Sequence, residues 1–223
     1  MKPVFFYHNE DYRVLNSIQS MDKDVYLTIA KPSEGIFRDR GSKFMAFAFP
    51  VEDEAGIKKR LDETRKKYHD ARHHCFAWKL GPSTLQYRVN DDGEPHNSAG
   101  KPILGQIHSF NLFYVLVIVV RYFGGTLLGI SGLVNAYKTA AYLALSNAAI
   151  VEKHICHILK IKFRYDHMNH LMKVIKDMDL EHYDQIFEQT CELKVKVPES
   201  KVSLFESSFK LHPDIESELI EVK

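Results

Sequence analysis

The sequence predicts an α+β protein of two domains, and three observations lead there. Its 223 residues, 45% apolar and 26% charged, are enough for one large or two modest hydrophobic cores. Short runs rich in aromatic and β-branched residues alternate with stretches of helical period. From Ile155 to the end, that alternation reads strand, helix, strand, strand, helix, strand.

Tyr26 to Ile29 and Phe44 to Phe49 have strand composition, and the turn-prone segment Asp39-Arg40-Gly41-Ser42 between them predicts that they form a hairpin. Between Glu52 and Tyr68, Ile57, Leu61 and Tyr68 recur at helical spacing. The opposite side carries Lys58, Lys59, Arg60, Arg65, Lys66 and Lys67, which predicts an amphipathic helix with a basic face. Cys75 to Leu80 is the next strand, closed by Gly81-Pro82, and Leu85 to Val89 another, closed by Asn90-Asp91-Asp92-Gly93.

A helix begins near Ser98 to Lys101 and keeps Ile103, Leu104 and Ile107 on one side. Phe113 to Val120 is apolar without interruption, as suits a central strand covered on both faces. After Gly124, Gly125, Gly129 and Gly132 comes a long helix from Leu133 through Ala136, Ala140, Leu143 and Ala144, whose small residues predict close packing on the sheet.

The tail runs Ile155 to Phe163, Met168 to Met178, Glu181 to Phe187, Glu192 to Val197, Ser200 to Leu211 and Glu218 to Val222. Its βαββαβ order is that of a ferredoxin-like domain. The division is therefore a possible extension over 1–22, a first domain over 23–152 and a ferredoxin-like domain over 153–223. Met21 offers a second start site, because Met1 to Ser20 fits no element well.

Composition excludes several classes. The longest apolar run is about eight residues, against the roughly 20 a membrane helix needs. The first residues lack the basic and apolar regions of a secretory signal, so the expected location is cytoplasmic. Cys75, Cys156 and Cys191 are odd in number and far apart, which predicts buried, reduced thiols rather than disulfides or a thiolate zinc site. The formal net charge is +1, but it is unevenly spread: residues 1–154 hold 20 Lys and Arg against 16 Asp and Glu, and 155–223 hold 10 against 13. A polyanion would meet the first domain.

Three segments are dense in residues that chemistry uses: 70–78, 90–102 and 120–132. Gly124, Gly125, Gly129 and Gly132 lie between a buried strand and a helix, where backbone amides can hold an anion. The Lys-Ser/Thr of a phosphate-binding loop is missing and the spacing departs from GxGxxG, so turn geometry and close packing account for these glycines better. Asp70, His73, His74, Asp91, Asp92, Glu94 and His96 are of metal-ligating type, yet their spacing matches no metal motif. Consecutive His73 and His74 on a strand face opposite ways, so no metal is expected. The same alternation separates Cys75 from His74, and Ser98 and Ser131 read as helix N-caps rather than nucleophiles.

As a set, Lys58, Lys59, Arg65, Lys66, Arg72, Arg88, Lys101, Arg121 and Lys138, with His73, His96, Tyr122 and Trp78 among them, are the types that neutralise phosphates and stack on bases. The lysine-rich helix face reads as a solvated face. Arg88, Lys101 and Arg121 are stronger candidates because they flank glycine-rich turns.

Together, ARHHCFAW, NDDGEPHNSAGKPILGQI and VIVVRYFGGTLLGISGLVNAYKTAA, with GSKF at Gly41 to Phe44, resemble the signature of the IMPACT/YigZ family over roughly Tyr26 to Ala149. The tail resembles the small C-terminal domain of the bacterial branch. The resemblance implies a first domain of the βαβ type shared by a small-subunit ribosomal protein and domain IV of elongation factor G, and a tail similar to a later elongation-factor domain. Both relatives touch ribosomal RNA. In the eukaryotic branch the matching domain is tied to translational control through a ribosome-associated activator of a stress-response kinase. No segment here matches the separate partner-binding domain of that branch, so kinase restraint is not carried over. By position, the motif places Arg72, His73, His74, Asn90, Asp92, Gly93, Glu94, Gly100, Lys101, Pro102, Arg121, Gly124, Gly125, Gly129 and Gly132 in the shared surface, and it assigns no catalytic residue.

The expected function is thus a translation-associated regulator, without catalysis or cofactor, binding RNA, the ribosome or a ribosome-associated protein. Its surface would comprise Arg72, His73, His74, Arg88, Asn90, Asp92, Glu94, His96, Lys101, Arg121, Gly124, Gly125, Gly129 and Lys138. The rival is an enzyme acting on a phosphorylated small molecule or nucleotide at the glycine-rich turn, which would require Asp92 or His96 to converge with Arg121 on one cavity.

Overall fold

The structure, a computed structural model, describes residues 24–82, 86–188 and 190–222. The expected extension over 1–22 lies outside the described residues. Two compact units are formed, one spanning Tyr26–Lys153 and the other 154–222 with residues 24 and 25.

The first unit is a five-stranded antiparallel sheet in the order β2-β3-β6-β4-β5. These strands are β2 (Ser33–Asp39), β3 (Ser42–Pro50), β4 (His73–Leu80), β5 (Gln86–Asn90) and β6 (Val115–Tyr122). As its unbroken apolar run predicts, β6 is central and has a core on each face. On one face, Phe44, Ala46, Cys75, Ala77, Val117 and Val119 pack against Ile103 and Ile107 of α2 (Gly100–Ser109) and Tyr137, Ala140 and Ala144 of α3 (Gly129–Ser146). On the other, Phe47, Phe76, Trp78, Leu116, Ile118 and Val120 pack against Ile57 of α1 (Glu54–Lys67). Each fully buried Leu, Ile or Phe contributes about 1.5–3 kcal/mol.

A carboxylate caps each of the first two helices. The Asp53 carboxylate accepts from Gly56 N at 2.7 Å at the start of α1, whose last turn carries Arg65, Lys66 and Lys67 against the helix dipole. At α2 the capping group is Asp91, whose carboxylate accepts from Asn97 N, Ala99 N and Gly100 N at 2.8–3.0 Å. Ser98 is not the cap that the sequence predicts; its hydroxyl donates to the Pro95 carbonyl at 2.6 Å. Ser131 is not a cap either, because α3 begins at Gly129 and places it inside the first turn.

The predicted hairpin is corrected. β1 (Val25–Ile29) pairs with β7 (Ile150–His154), and the partner of β3 is β2, an edge strand that composition did not reveal. Its Ser-Glu-Gly-Ile-Phe-Arg-Asp sequence lacks apolar alternation because α3 lies directly over it. A Cβ on Gly35 would stand 2.5 Å from Ala144 N, so only glycine permits that approach.

The second unit has the predicted order. A sheet β11-β8-β10-β9, antiparallel throughout, is made from β8 (Cys156–Phe163), β9 (Glu181–Phe187), β10 (Cys191–Pro198) and β11 (Glu216–Val222). Leu159, Ile161, Phe163, Leu193, Val195 and Val197 alternate inward against Leu171 and Ile175 of α4 (Met168–Asp177) and Phe205 of α5 (Glu199–Ser207). This is the ferredoxin-like arrangement. Among the described residues no helix is long and apolar enough to cross a membrane.

Candidate functional site

Strand register brings the first unit's motif residues to one end of its sheet. Phe44 of β3 and His73 of β4 are both opposite Arg121 of β6, and Lys43 is opposite Tyr122. The hairpin turn Arg40-Gly41 reaches the same end, where a Cβ on Gly124 would stand 1.9 Å from the Gly41 carbonyl carbon. Gly124 N also donates to Ser42 Oγ at 3.1 Å. That contact explains Gly124 by packing, as the sequence suggests. Gly125 and Gly129 have φ of +85° and +72°, a region that favours glycine.

Behind this rim lies a buried polar network. The Glu94 carboxylate accepts from Arg121 Nη1 at 2.6 Å and from the Tyr137 hydroxyl at 2.8 Å, and the Glu94 and Arg121 side chains are almost wholly buried. The Cys75 thiol donates to the Asp91 carbonyl at 3.0 Å and lies 3.3 Å from the Tyr137 hydroxyl. Burial pushes both the Cys75 thiol and the Tyr137 phenol well above their usual ranges. Arg121 Nε is buried without a hydrogen-bond partner among the described residues.

The 90–94 turn is tied down in the same way. Asp92 N donates to Asn90 Oδ1 at 2.6 Å, and Asp92 Oδ2 accepts from His74 N at 2.7 Å. His73 Nδ1 donates to the Asp92 carbonyl at 2.8 Å, leaving Nε2 at 3.9 Å from Glu94. His74 turns to the other face as predicted and donates from Nε2 to the Tyr68 carbonyl at 3.1 Å. Its imidazole is held below the ordinary range by burial, against the opposing pulls of that carbonyl and of Asp92. Arg65 lies 3.8 Å from Asp92. Tyr122 donates to Asp70 at 2.7 Å, which pushes its phenol up to about 12.

The structure therefore brings Arg72, His73, His74, Asn90, Asp92, Glu94, Arg121, Gly124 and Gly125 to one end of the sheet, where the polar residues other than Arg72 make hydrogen bonds among themselves or to the scaffold. Arg72 is exposed and has no ion pair among the described residues. Arg88 is exposed further along β5, opposite Trp78. His96 is exposed in the loop, and Lys101 and Lys138 on their helices. Trp78, named for stacking, is a core residue. The charged face of α1 carries an open groove of about 490 Å³ lined by Ala55, Lys58, Lys59, Asp62, Glu63 and Lys66, on the sheet face opposite Glu94. Among the described residues no group of three His, Cys, Asp or Glu side chains is arranged to hold a metal ion.

Sequence reasoning missed Arg38, Arg40 and Lys43 at this end. Arg38 and Arg40 are exposed and Lys43 half-buried, all without ion pairs among the described residues. The DRGSK turn was the available signal, but only the β2–β3–β6 register places it beside Gly124. Tyr137 and Phe123 were also missed.

An α+β protein of two compact units, with a buried polar network at one end of the first unit's sheet, is the class that fold and site define. Residues 40–145 match the family model described as the Impact N-terminal domain. The chain is 29% identical to the IMPACT family member YigZ of Escherichia coli K12, over 81% of this chain and 89% of that protein. It is 30% identical to an IMPACT family member of Haemophilus influenzae, over 74% of this chain and 82% of that one. A crystal structure of a hypothetical protein superposes with a TM-score of 0.70 at 27% identity, covering 90% of this chain and 99% of the other. The chain belongs to the IMPACT family.

Proposed function

We propose that this protein is a translation-associated regulator that binds RNA through the sheet end of its first unit. The observation that carries the reading is the set of cations there. Arg38, Arg40, Lys43 and Arg72 lie at the sheet end that holds the Gly41–Gly124 contact, without carboxylate partners among the described residues, while Asp70 is engaged by Tyr122. Cations left unpaired on a rigid frame are available to phosphates. Arg121 serves the frame rather than the ligand, because Glu94 already neutralises it. That pair also weakens the enzyme reading: Asp92 bonds to His74, His96 stands exposed, and neither converges with Arg121 on a cavity.

A second reading, a ribosome-associated protein as partner, is favoured by one observation. Leu127, in the connection after β6, and Ile130, in the first turn of α3, are 82% and 63% exposed.

The test is binding of the full chain to ribosomal subunits and to structured RNA. If Arg38, Arg40, Lys43 and Arg72 each meet a phosphate, raising salt from about 50 to about 200 mM weakens binding about a hundredfold. Arg40→Ala and Arg72→Ala should weaken binding and flatten that salt dependence. Binding that ignores salt and both substitutions would overturn the reading, and salt-insensitive binding to ribosomes but not to free RNA would transfer it to a protein partner.

A further inference from the structure

We propose that Phe123 is a stacking platform for an unpaired RNA base; this deepens, and rests on, the RNA-binding reading above. Phe123 follows the end of β6 and is 46% exposed. It is not a loose ornament of the loop. The Arg121 guanidinium carbon lies 5.6 Å from its ring centroid and 5.4 Å from that of the buried Phe44. Arg121 is itself clamped by Glu94 at 2.6 Å, so the ring rests against a planar cation that cannot swing away.

Beyond the ring the chain is bare. Gly124 and Gly125 follow, both exposed, and a Cβ built on Gly125 meets nothing within 4 Å. A flat base can approach there without displacing a side chain. The unpaired cation Arg40, in the turn whose Gly41 packs against Gly124, suits a flanking phosphate, and an aromatic ring with a cation close by is an arrangement that holds single strands. The other aromatics at this end are committed, Tyr122 to Asp70 and Phe44 to the core. The ligand class is single-stranded RNA or an unpaired loop nucleotide, not a continuous duplex, whose bases offer no free face.

The experiment measures fluorescence anisotropy of the full chain with a labelled oligo(A) single strand and with a fully paired RNA duplex of equal length. Phe123→Leu should weaken oligo(A) binding about tenfold or more and leave duplex binding unchanged, while Phe123→Trp retains both. Thermal melts check that the variants stay folded. If Phe123→Leu binds both RNAs as the unsubstituted protein does, or loses both equally, the stacking proposal falls while RNA binding stands. If neither RNA binds the unsubstituted protein, both readings fall together.

Discussion

Glu94 and Arg121 form a 2.6 Å ion pair whose two side chains are only 4% and 7% exposed, so each is the other's replacement for water. Removing one partner leaves a charge buried and unpaired. Glu94→Ala should destabilise the protein by about 3–5 kcal/mol, whereas the double change Glu94→Met with Arg121→Leu should cost much less than Glu94→Ala. Urea unfolding monitored by circular dichroism compares the two.

Tyr137 donates to that same carboxylate from the middle of α3. Tyr137→Phe keeps the ring, which packs edge-on against Phe44, and deletes only the hydroxyl. The expected loss is about 1.5–3 kcal/mol, the range for a hydrogen bond to a charged group, read from the urea midpoint at constant m-value.

Two neighbouring glycines should respond differently. Gly124→Ala drives a methyl into the Gly41 backbone and should cost about 2–3 kcal/mol or more. Gly125→Ala enters open space and meets only the penalty of φ near +85°, about 1–2 kcal/mol. Thermal melts of the two variants should preserve that order.

His74 supplies a pH dependence. Burial lowers its folded-state pKa below the ordinary value near 6.5, so at slightly acid pH the unfolded chain binds the proton more readily than the native state. Its contribution to stability is therefore intact above about pH 6.5 and declines as pH falls below that value. Between pH 7.5 and 5.5, the unsubstituted protein should lose more of its urea midpoint than His74→Gln does.

The thiols should be silent in the native state. Burial raises the Cys75 thiol far above its usual range and raises Cys156 as well, and Cys191 is fully enclosed. A disulfide reagent at pH 8 should find no rapidly reacting cysteine until denaturant is added, when three should titrate.

Much of this fold was legible in the chain. The run from Phe113 to Val120 announced a strand covered on both faces, since no solvent-facing strand tolerates six consecutive aliphatic residues. The βαββαβ tail was legible because β10 alternates strictly, β8 alternates from Leu159 to Phe163 and α4 is strongly amphipathic. β2 was not, because the positions that meet α3 are Ser33 and Gly35, so the strand shows neither clear apolar alternation nor an apolar run. Asp91 was not recognised as the cap of α2 because it stands nine residues before Gly100 and reaches it only by folding of the intervening loop.

The candidate site divides along the same line. Residue types and motif spacing alone identified the segments around Arg72, Asp92 and Arg121, and the local alternation of a strand alone sent His73 and His74 to opposite faces. Only tertiary structure decided which charges remain free. Arg121 and Glu94, 27 residues apart, cancel one another in the interior, whereas Arg40 and Arg72, far apart in sequence, stay unpaired at one sheet end. Charge type is written in each residue, but whether a charge is spent inside the protein or offered outside depends on partners that strand register brings together.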